Sequence, residues 1–355
     1  MQPYDHAFMV RAGIIGASGY TGAELLRLLA GHPDMELVVA TADSNAGGGA
    51  AELYPSLAAA YPGLTFETFD VARIANASLD VAFLGLPHEA SMALVPELAG
   101  SVRCIVDLSA AFRLKDAGLY PTWYGFEHDQ PELLAGAVYG LPERTRKQLP
   151  GAGLIATPGC YVTAATLALA PLLDAGLIER TGIIVDAASG VTGAGRVPTA
   201  TNAFCTVDEN FTAYGLLNHR HTPEIEQNLG APDREVTVLF TPHLAPMNRG
   251  ILATCYSRPA TGAVVSTESL LADLGSAYAD EPFVVVTPAS PSTKASLGSN
   301  TAFVSARYDE RTGYVVTLCA IDNLTKGASG GALQAANVAL GLDETAGLPK
   351  VGVMP

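Results

Sequence analysis

Five cysteines punctuate the chain, Cys104, Cys160, Cys205, Cys255 and Cys319, and one is placed differently from the rest. Thr157-Pro158-Gly159-Cys160-Tyr161 closes the apolar run GLIAT and opens the apolar helical stretch YVTAATLALAPLLDAG. A thiol at a helix N-terminus lies at the positive end of the helix dipole, a field that favours the thiolate and makes the sulfur a nucleophile. Cys104, Cys255 and Cys319 sit inside strand-like runs (RCIVDL, ATCY, TLCAI), where buried structural cysteine is the ordinary reading, and Cys205 lies in a segment without clear periodicity. Placement alone leaves Cys160 open between nucleophile and turn residue, because small residues also favour such turns.

A base and an anion site are needed beside such a thiol. His219-Arg220-His221-Thr222-Pro223-Glu224-Ile225 reads as a loop running into a helix, with Thr222 as N-cap and Pro223 at the first helical position. Two histidines flanking an arginine supply a proton donor and an anion clamp, with His219 favoured as the acid/base and His221 its rival. The loop Ser189-Gly190-Val191-Thr192-Gly193-Ala194-Gly195-Arg196 offers Gly190 and Gly193 for close approach of a bound cofactor, with Ser189 and Arg196 to bind a substrate carboxylate or phosphate; a structural turn competes with that reading. Arg113 and Arg220 are the other arginine candidates for the substrate, against the plain alternative of surface arginine. His6, His32, His88, His128 and His243 are dispersed, so no metal centre is expected.

A second motif holds a different ligand. Gly13-Ile-Ile-Gly16-Ala-Ser18-Gly19-Tyr20-Thr21-Gly22 lies between an apolar strand and an amphipathic helix, where a pyrophosphate-binding turn must sit. Its spacing is G-x-x-G-x-x-G, and a glycine triplet alone is weak evidence, so the flanking strand and helix carry the reading. The second strand should end near Ala40 to Asp43; Ser44 and Asn45 can bond a 2′-phosphate, whereas Asp43 would repel one, which favours NADP over NAD only modestly.

The elements that must position these residues fall into two lobes. VRAGII, TGAELLRLLA, MELVVATA, DVAFLGL, ASMALVPELA and RCIVDL alternate in a βαβ rhythm that implies a parallel sheet. Punctuation by Pro and Gly from Gly140 to Pro158 marks the boundary. Beyond it GIIVDAAS, EVTVLFT, GILATCYS, PFVVVT, TAFVSARY and YVVTLCAI crowd together with the helices TPEIEQNL and STESLLADLGSAYA, an α+β lobe with a mixed sheet. An Ala- and Gly-rich helix from about Lys326 to Gly341 follows. The 355 residues, 49% hydrophobic, suffice for two cores, and the net charge of -15 argues against nucleic acid or an anionic membrane as partner. Scattered cysteines, an N-terminal MQPYDHAFMV without signal-peptide character and the lack of a bilayer-length apolar run read as soluble and cytoplasmic.

In order and at compatible spacing, GIIGASGYTGAELLRLL, GLPHEAS, DLSAAFRL, YGLPE, PGCY, SGVTGAGR, HRHTPEI, RGILAT and IDNLTKGASGGA resemble the N-acetyl-γ-glutamyl-phosphate reductases of arginine biosynthesis, within the aspartate-semialdehyde dehydrogenase-like superfamily. The resemblance spans nearly the whole chain. It implies an α/β fold: a Rossmann NADP-binding domain over 1–159 and 326–355, and an α+β catalytic and dimerisation domain over 160–325. It further implies Cys160 as nucleophile on an acyl phosphate, NADPH as hydride donor, a thioester intermediate and a homodimer or homotetramer built through the second lobe. Leu86 and Pro87 then lie in a loop closing over the cofactor, and Asn323 bonds the nicotinamide carboxamide. A related reductase acting on carrier-protein-bound aminoadipyl phosphate in lysine biosynthesis has SSGAG and a basic, His-rich stretch; here SGVTGAGR and the neutral-to-acidic NAFCTVDENFTAYG favour a free acetylated amino acid. A dinucleotide-binding regulator without chemistry is the remaining alternative, and it needs neither Cys160 nor the HRH loop.

Overall fold

The computed structural model describes residues 9–231 and 235–354. The N-terminal leader reading, His6 and the ends of the expected first domain at residues 1–8 and 355 lie outside them. Among the described residues the chain divides into two compact units, Met1–Ala117 with His128–Pro158 and Ala328–Leu348, and Gly118–Glu127 with Gly159–Gly327 and Pro349–Pro355.

The first unit is built on β1 (Val10–Ile15), β2 (Met35–Thr41), β3 (Val81–Leu84), β4 (Cys104–Asp107), β5 (Val138–Tyr139) and β6 (Leu154–Ala156), ordered β2-β1-β3-β4-β6-β5 and all parallel. Residues of β3 and β4 are buried throughout, the pattern of strands covered on both faces. Helix α1 (Tyr20–Leu29) buries Leu25, Leu26, Leu28 and Leu29, and α2 (His88–Leu98) buries Leu94, Val95 and Leu98. The late helix Gly330–Leu340 returns to this sheet against β4, as its small residues allow. The strand order reverses between β1 and β3, which places a crevice at their carboxyl ends.

The second unit holds β7 (Ile183–Gly190), β8 (Thr212–Ala213), β9 (Val238–Ala245), β10 (Ile251–Ser257), β11 (Val284–Val286), β12 (Ala302–Asp309) and β13 (Tyr314–Ile321), ordered β11-β12-β13-β10-β7-β9-β8. The sheet is mixed: β7 with β9 and β11 with β12 are parallel, the other pairs antiparallel. Burial alternates along β7, β10 and β13 because helices cover one face only. On that face lies α3 (Cys160–Asp174), buried nearly all round between the sheet and helices α4 (Thr222–Leu229) and α5 (Thr267–Ala277).

The compact units divide the chain differently from the expected domains, chiefly in two stretches. Residues 118–127 belong to the second unit, where Tyr120, Tyr124 and Phe126 form a ring cluster and the Tyr124 hydroxyl donates to Arg220 O. Residues 349–354 join it too, through Asn300 N–H to Pro349 O and Thr301 Oγ1 to Lys350 O. Helix α4 also starts at Thr222 with His221 as its cap, one residue earlier than Thr222 as N-cap implies, and no side chain caps it.

Buried Asp322, at the end of β13, ties the turns of the second unit together. Its Oδ1 accepts from Arg249 Nη2 at 2.9 Å and from the Leu324 and Thr325 amides, and its Oδ2 accepts from Gly298 N–H at 2.7 Å. Asp322→Ala strands the partly buried guanidinium and several amides; we expect a loss of about 3–5 kcal/mol, read as a lowered denaturant midpoint. An unchanged midpoint would show that the network is dispensable.

Candidate active site

The glycine turn of the first unit is formed as its spacing demands. Gly16 holds φ +88°, and a Cβ there would run into Gly85 O; a Cβ at Gly22 would strike the backbone of Ala17. Both positions exclude larger residues, one for the turn and one for helix–strand packing. Gly19 precedes α1 with no side chain capping the helix, so its first N–H groups face the turn. Ser18 is pinned by Asn45 Nδ2 on its hydroxyl (3.2 Å) and by Tyr54 OH on its carbonyl (2.7 Å). Tyr20 and Thr21 open α1, and Thr21 O accepts from Ser329 Oγ. Asp43 and Ser44 are exposed, and Asn45 Nδ2 also reaches Ser44 Oγ. Leu86 packs toward Gly16 from the end of β3, and Pro87 caps α2. These residues form a cradle at an uncapped helix N-terminus, an arrangement that could hold a pyrophosphate.

Arg113 also belongs to this unit. It is buried, and its Nη2 donates to Leu108 O at 2.9 Å. The same turn is organised by buried Asp107, which accepts from Ser91 Oγ (2.6 Å), Ser109 Oγ (2.8 Å) and Ser109 N–H (2.9 Å). Burial pushes the Asp107 carboxyl up, against the pull of those hydrogen bonds and of Arg113. His88 Nδ1 accepts from Ala110 N–H, a positioning contact in that turn.

In the second unit a cavity of about 460 Å³ is lined by Cys160, Ser189, Gly190, Gly193, His219, Arg220 and His221, together with Tyr161, Thr201, Asn202, Thr212 and Tyr214. The structure thus gathers candidates spread over more than sixty residues of sequence around one thiol. Arg196 and Asn323 are not in this lining. Asn323 Oδ1 accepts from Gly250 N–H (2.7 Å) and its Nδ2 donates to Thr192 Oγ1 (3.0 Å), so this amide holds the Ser189–Arg196 loop in place. Gly190 is required there, because a Cβ would collide with the Asn248 backbone.

Cys160 is the first residue of α3, preceded by Gly159 in extended conformation. Gly159 N–H donates to Oε1 of fully buried Glu224 at 2.9 Å, which ties the start of α3 to the first turn of α4. The ring of His221 lies directly over Gly159: a Cβ on that glycine would meet the His221 Nε2. The half-buried His219 has its ring edge-on to Tyr161, Tyr214, His221 and Phe240, and its Nδ1 accepts His221 N–H at 3.1 Å. Burial, reinforced by the Arg220 charge, pulls the His219 imidazole down to about 4, so it is neutral near pH 7 and props its neighbour.

Glu224, Tyr161 and Tyr214 were not singled out in the sequence. Tyr214 OH donates to Tyr161 OH (3.2 Å), which in turn donates to His243 O (3.0 Å). Burial pushes the Tyr214 phenol up to about 12, so it remains a proton donor. Glu224 had a signal, an acid in the first turn of a Pro-started helix, that reads equally as dipole compensation. Tyr214 had none.

Two family models match the chain: semialdehyde dehydrogenase, NAD binding domain, over residues 11–152, and semialdehyde dehydrogenase, dimerisation domain, over residues 160–323. Among curated proteins, the N-acetyl-gamma-glutamyl-phosphate reductase of Desulforudis audaxviator is 48% identical over 98% of this chain and 100% of its own length. That of Pelotomaculum thermopropionicum is 49% identical, over 98% and 99%. Among solved structures, aspartate semialdehyde dehydrogenase II of Vibrio cholerae complexed with ASA superposes with a TM-score of 0.69 at 17% identity, over 94% of this chain and 98% of that one. The Candida albicans aspartate semialdehyde dehydrogenase with NADP gives 0.68 at 15%, over 93% and 98%. These structures share the fold: a Rossmann-type NAD(P)-binding domain followed by an α+β domain with a mixed sheet.

Gly159→Ala displaces the His221 ring and should lower turnover on the order of 10²-fold with the fold intact, read as kcat beside the unfolding midpoint. Unaltered turnover would remove His221 from the reaction. The ordinary pKa of unfolded histidine, near 6.5, exceeds that of folded His219, so between these values the unfolded chain takes up the proton. Stability should therefore fall as pH drops from about 6.5 to 4, and His219→Gln should flatten that slope in pH-dependent denaturation; an unchanged slope contradicts a half-buried neutral imidazole.

Proposed function

Because the chain belongs to the N-acetyl-gamma-glutamyl-phosphate reductase family, we propose that Cys160 carries its reaction as a covalent thioester, with His221 as the proton carrier. The activity is the NADPH-dependent reduction of N-acetyl-L-glutamyl 5-phosphate to N-acetyl-L-glutamate 5-semialdehyde and phosphate, a step of arginine biosynthesis. The observation that carries the covalent reading is the juxtaposition, at one helix N-terminus, of the Cys160 thiol, the His221 ring over Gly159 and the Glu224 clamp.

In this mechanism His221 takes the thiol proton as sulfur bonds to the acyl carbon, and makes it available to the departing phosphate. The exposed Arg220 guanidinium, in the cavity lining, is the nearest candidate to hold that phosphate or the substrate carboxylate. Ser189, Gly190 and Gly193 shape the opposite wall. NADPH, held at Gly16, Ser18, Gly19, Tyr20, Thr21 and Gly22, with Ser44, Leu86 and Pro87 at the crevice rim, supplies the hydride when bound. After the acyl carbon has been reduced, the thiohemiacetal on Cys160 collapses, the C–S bond breaks, and the thiolate regains a proton from solvent. His219 and His221 are the two candidates for acid/base; His221 is preferred here for the placement of its ring over Gly159, while His219 Nδ1 accepts from the His221 amide. Arg113 and Arg196 are further candidates for the substrate anion, and Asn323, which also holds the Ser189–Arg196 loop, for the cofactor.

The described residues contain no helix long and apolar enough to cross a membrane. None of the five cysteines is joined in a disulfide, which supports a reducing, cytoplasmic setting. The uncovered face of the second sheet supports a homodimer. Leu239, Ile184, Tyr256 and Val316 align across β9, β7, β10 and β13, beside a second row through Thr254 and Leu318, and these side chains are half-buried or exposed. An apolar face of this size in a domain of the dimerisation family is the surface a second copy occupies.

The reading is tested by NADPH oxidation with N-acetyl-glutamyl phosphate beside other acyl phosphates. We expect turnover with the former, reduced at least 10³-fold in Cys160→Ser at unchanged cofactor affinity, on the order expected for loss of a nucleophile. Full activity of Cys160→Ser would contradict covalent catalysis, and preference for a carrier-bound acyl phosphate would contradict the substrate.

A further inference from the structure

One stretch of the second unit departs from the rule that large apolar side chains are buried. Between Val197 and Leu217, six of them are exposed: Val197, Phe204 (74% exposed), Phe211, Leu216 and Leu217 (78%), with Tyr214 the least so at 38%. Leu217 holds φ +65°, a left-handed backbone that disfavours leucine, and still points its side chain outward. The inner side of the same strap is the cavity wall, through Thr201, Asn202, Thr212, Ala213 and Tyr214. The strap is tethered inward by the Tyr214–Tyr161 hydrogen bond, next to Cys160.

Its outer side continues the uncovered sheet face. Phe240 of β9 packs with Tyr161 and His219 on the helix side, so Leu239, Thr241 and His243 alternate to the other face. His243 lies in register with Ala188, and Ala188 with Leu252, on that face. The Phe211 ring stacks flat on His243, centroids 5.0 Å apart. Phe211 therefore carries the apolar face across the β8–β9 edge onto the strap, and the dimerisation-family match spans all of it.

We propose that a second copy of this chain, docked on the uncovered sheet face, covers the strap and fixes the cavity wall, so that the Cys160 site is complete only in the dimer. This rests on the dimer reading of the sheet face. The strap couples the two: its outer residues become buried by the partner, which holds its inner residues, Tyr214 foremost, in the lining that meets the substrate.

Leu318→Arg puts a charge into the sheet face, in register with Thr254 and away from the cavity lining. Sedimentation velocity, the steady-state rate with N-acetyl-glutamyl phosphate, and chymotrypsin cleavage within 197–217 are measured on the wild type and this variant, with iodoacetamide labelling of Cys160 confirming a folded site. Expected are a dimeric wild type and a monomeric variant with kcat/KM at least tenfold lower and strap cleavage at least tenfold faster. Should the variant fail to fold, wild-type specific activity across a dilution series must fall in step with dimer dissociation. A monomer as active and as protected as the dimer, by variant or by dilution, overturns the coupling and leaves the dimer reading standing. A wild type monomeric at every concentration, or a folded variant that remains dimeric, overturns the sheet-face reading itself.

Discussion

Everything chemical in the second unit depends on one hydrogen bond, from the Gly159 amide to the buried Glu224 carboxylate. Gly159 is the last residue before α3 and Glu224 lies in the first turn of α4, so this bond fixes the helix that begins at Cys160 against the helix that follows the histidine loop. The absence of a side chain at Gly159 lets His221 lie over the turn. A buried carboxylate tolerates that place because it accepts a backbone donor that α3 itself cannot satisfy. The placement of the His221 ring over the start of α3 is therefore set by backbone and carboxylate.

The rest of the unit serves that geometry in layers. Neutral His219 and Tyr161 back the HRH loop with edge-on rings. The Asp322–Arg249 network and the Asn323–Thr192 bond hold the glycine loop that forms the far wall. In the first unit the same economy of side chains recurs. Gly16 and Gly22 leave space where backbone must approach backbone, and the N-terminus of α1 is left uncapped for an anion.

Much of this was legible in the sequence because the governing patterns are local. The βαβ rhythm, the G-x-x-G-x-x-G turn and Cys160 at the head of an apolar helix each follow from residues adjacent in the chain. What escaped was set by contacts across long sequence separations. Residues 118–127 read as part of the first lobe, yet their aromatic cluster packs in the second unit. The hold of Asn323 on the Ser189–Arg196 loop, through Gly250 and Thr192, is likewise a contact between residues far apart in the chain. The order of the two histidines could not be read from HRH, since both sit on one loop and only the neighbours of each ring, Gly159 for His221 and a ring cage for His219, distinguish them. Tyr214 lies in a stretch whose two-residue strand is too short to show periodicity.

The central claim is that the acyl group resides on Cys160 between phosphate release and reduction. Its most direct test is rapid-quench intact-mass spectrometry of the protein mixed with N-acetyl-glutamyl phosphate in the absence of NADPH, followed by peptide mapping. The account predicts an N-acetyl-glutamyl adduct on the Cys160 peptide, formed with a stoichiometric burst of phosphate and discharged to aldehyde when NADPH is added. Phosphate release and reduction that proceed only with both ligands present, with no adduct at any quench time, would contradict it.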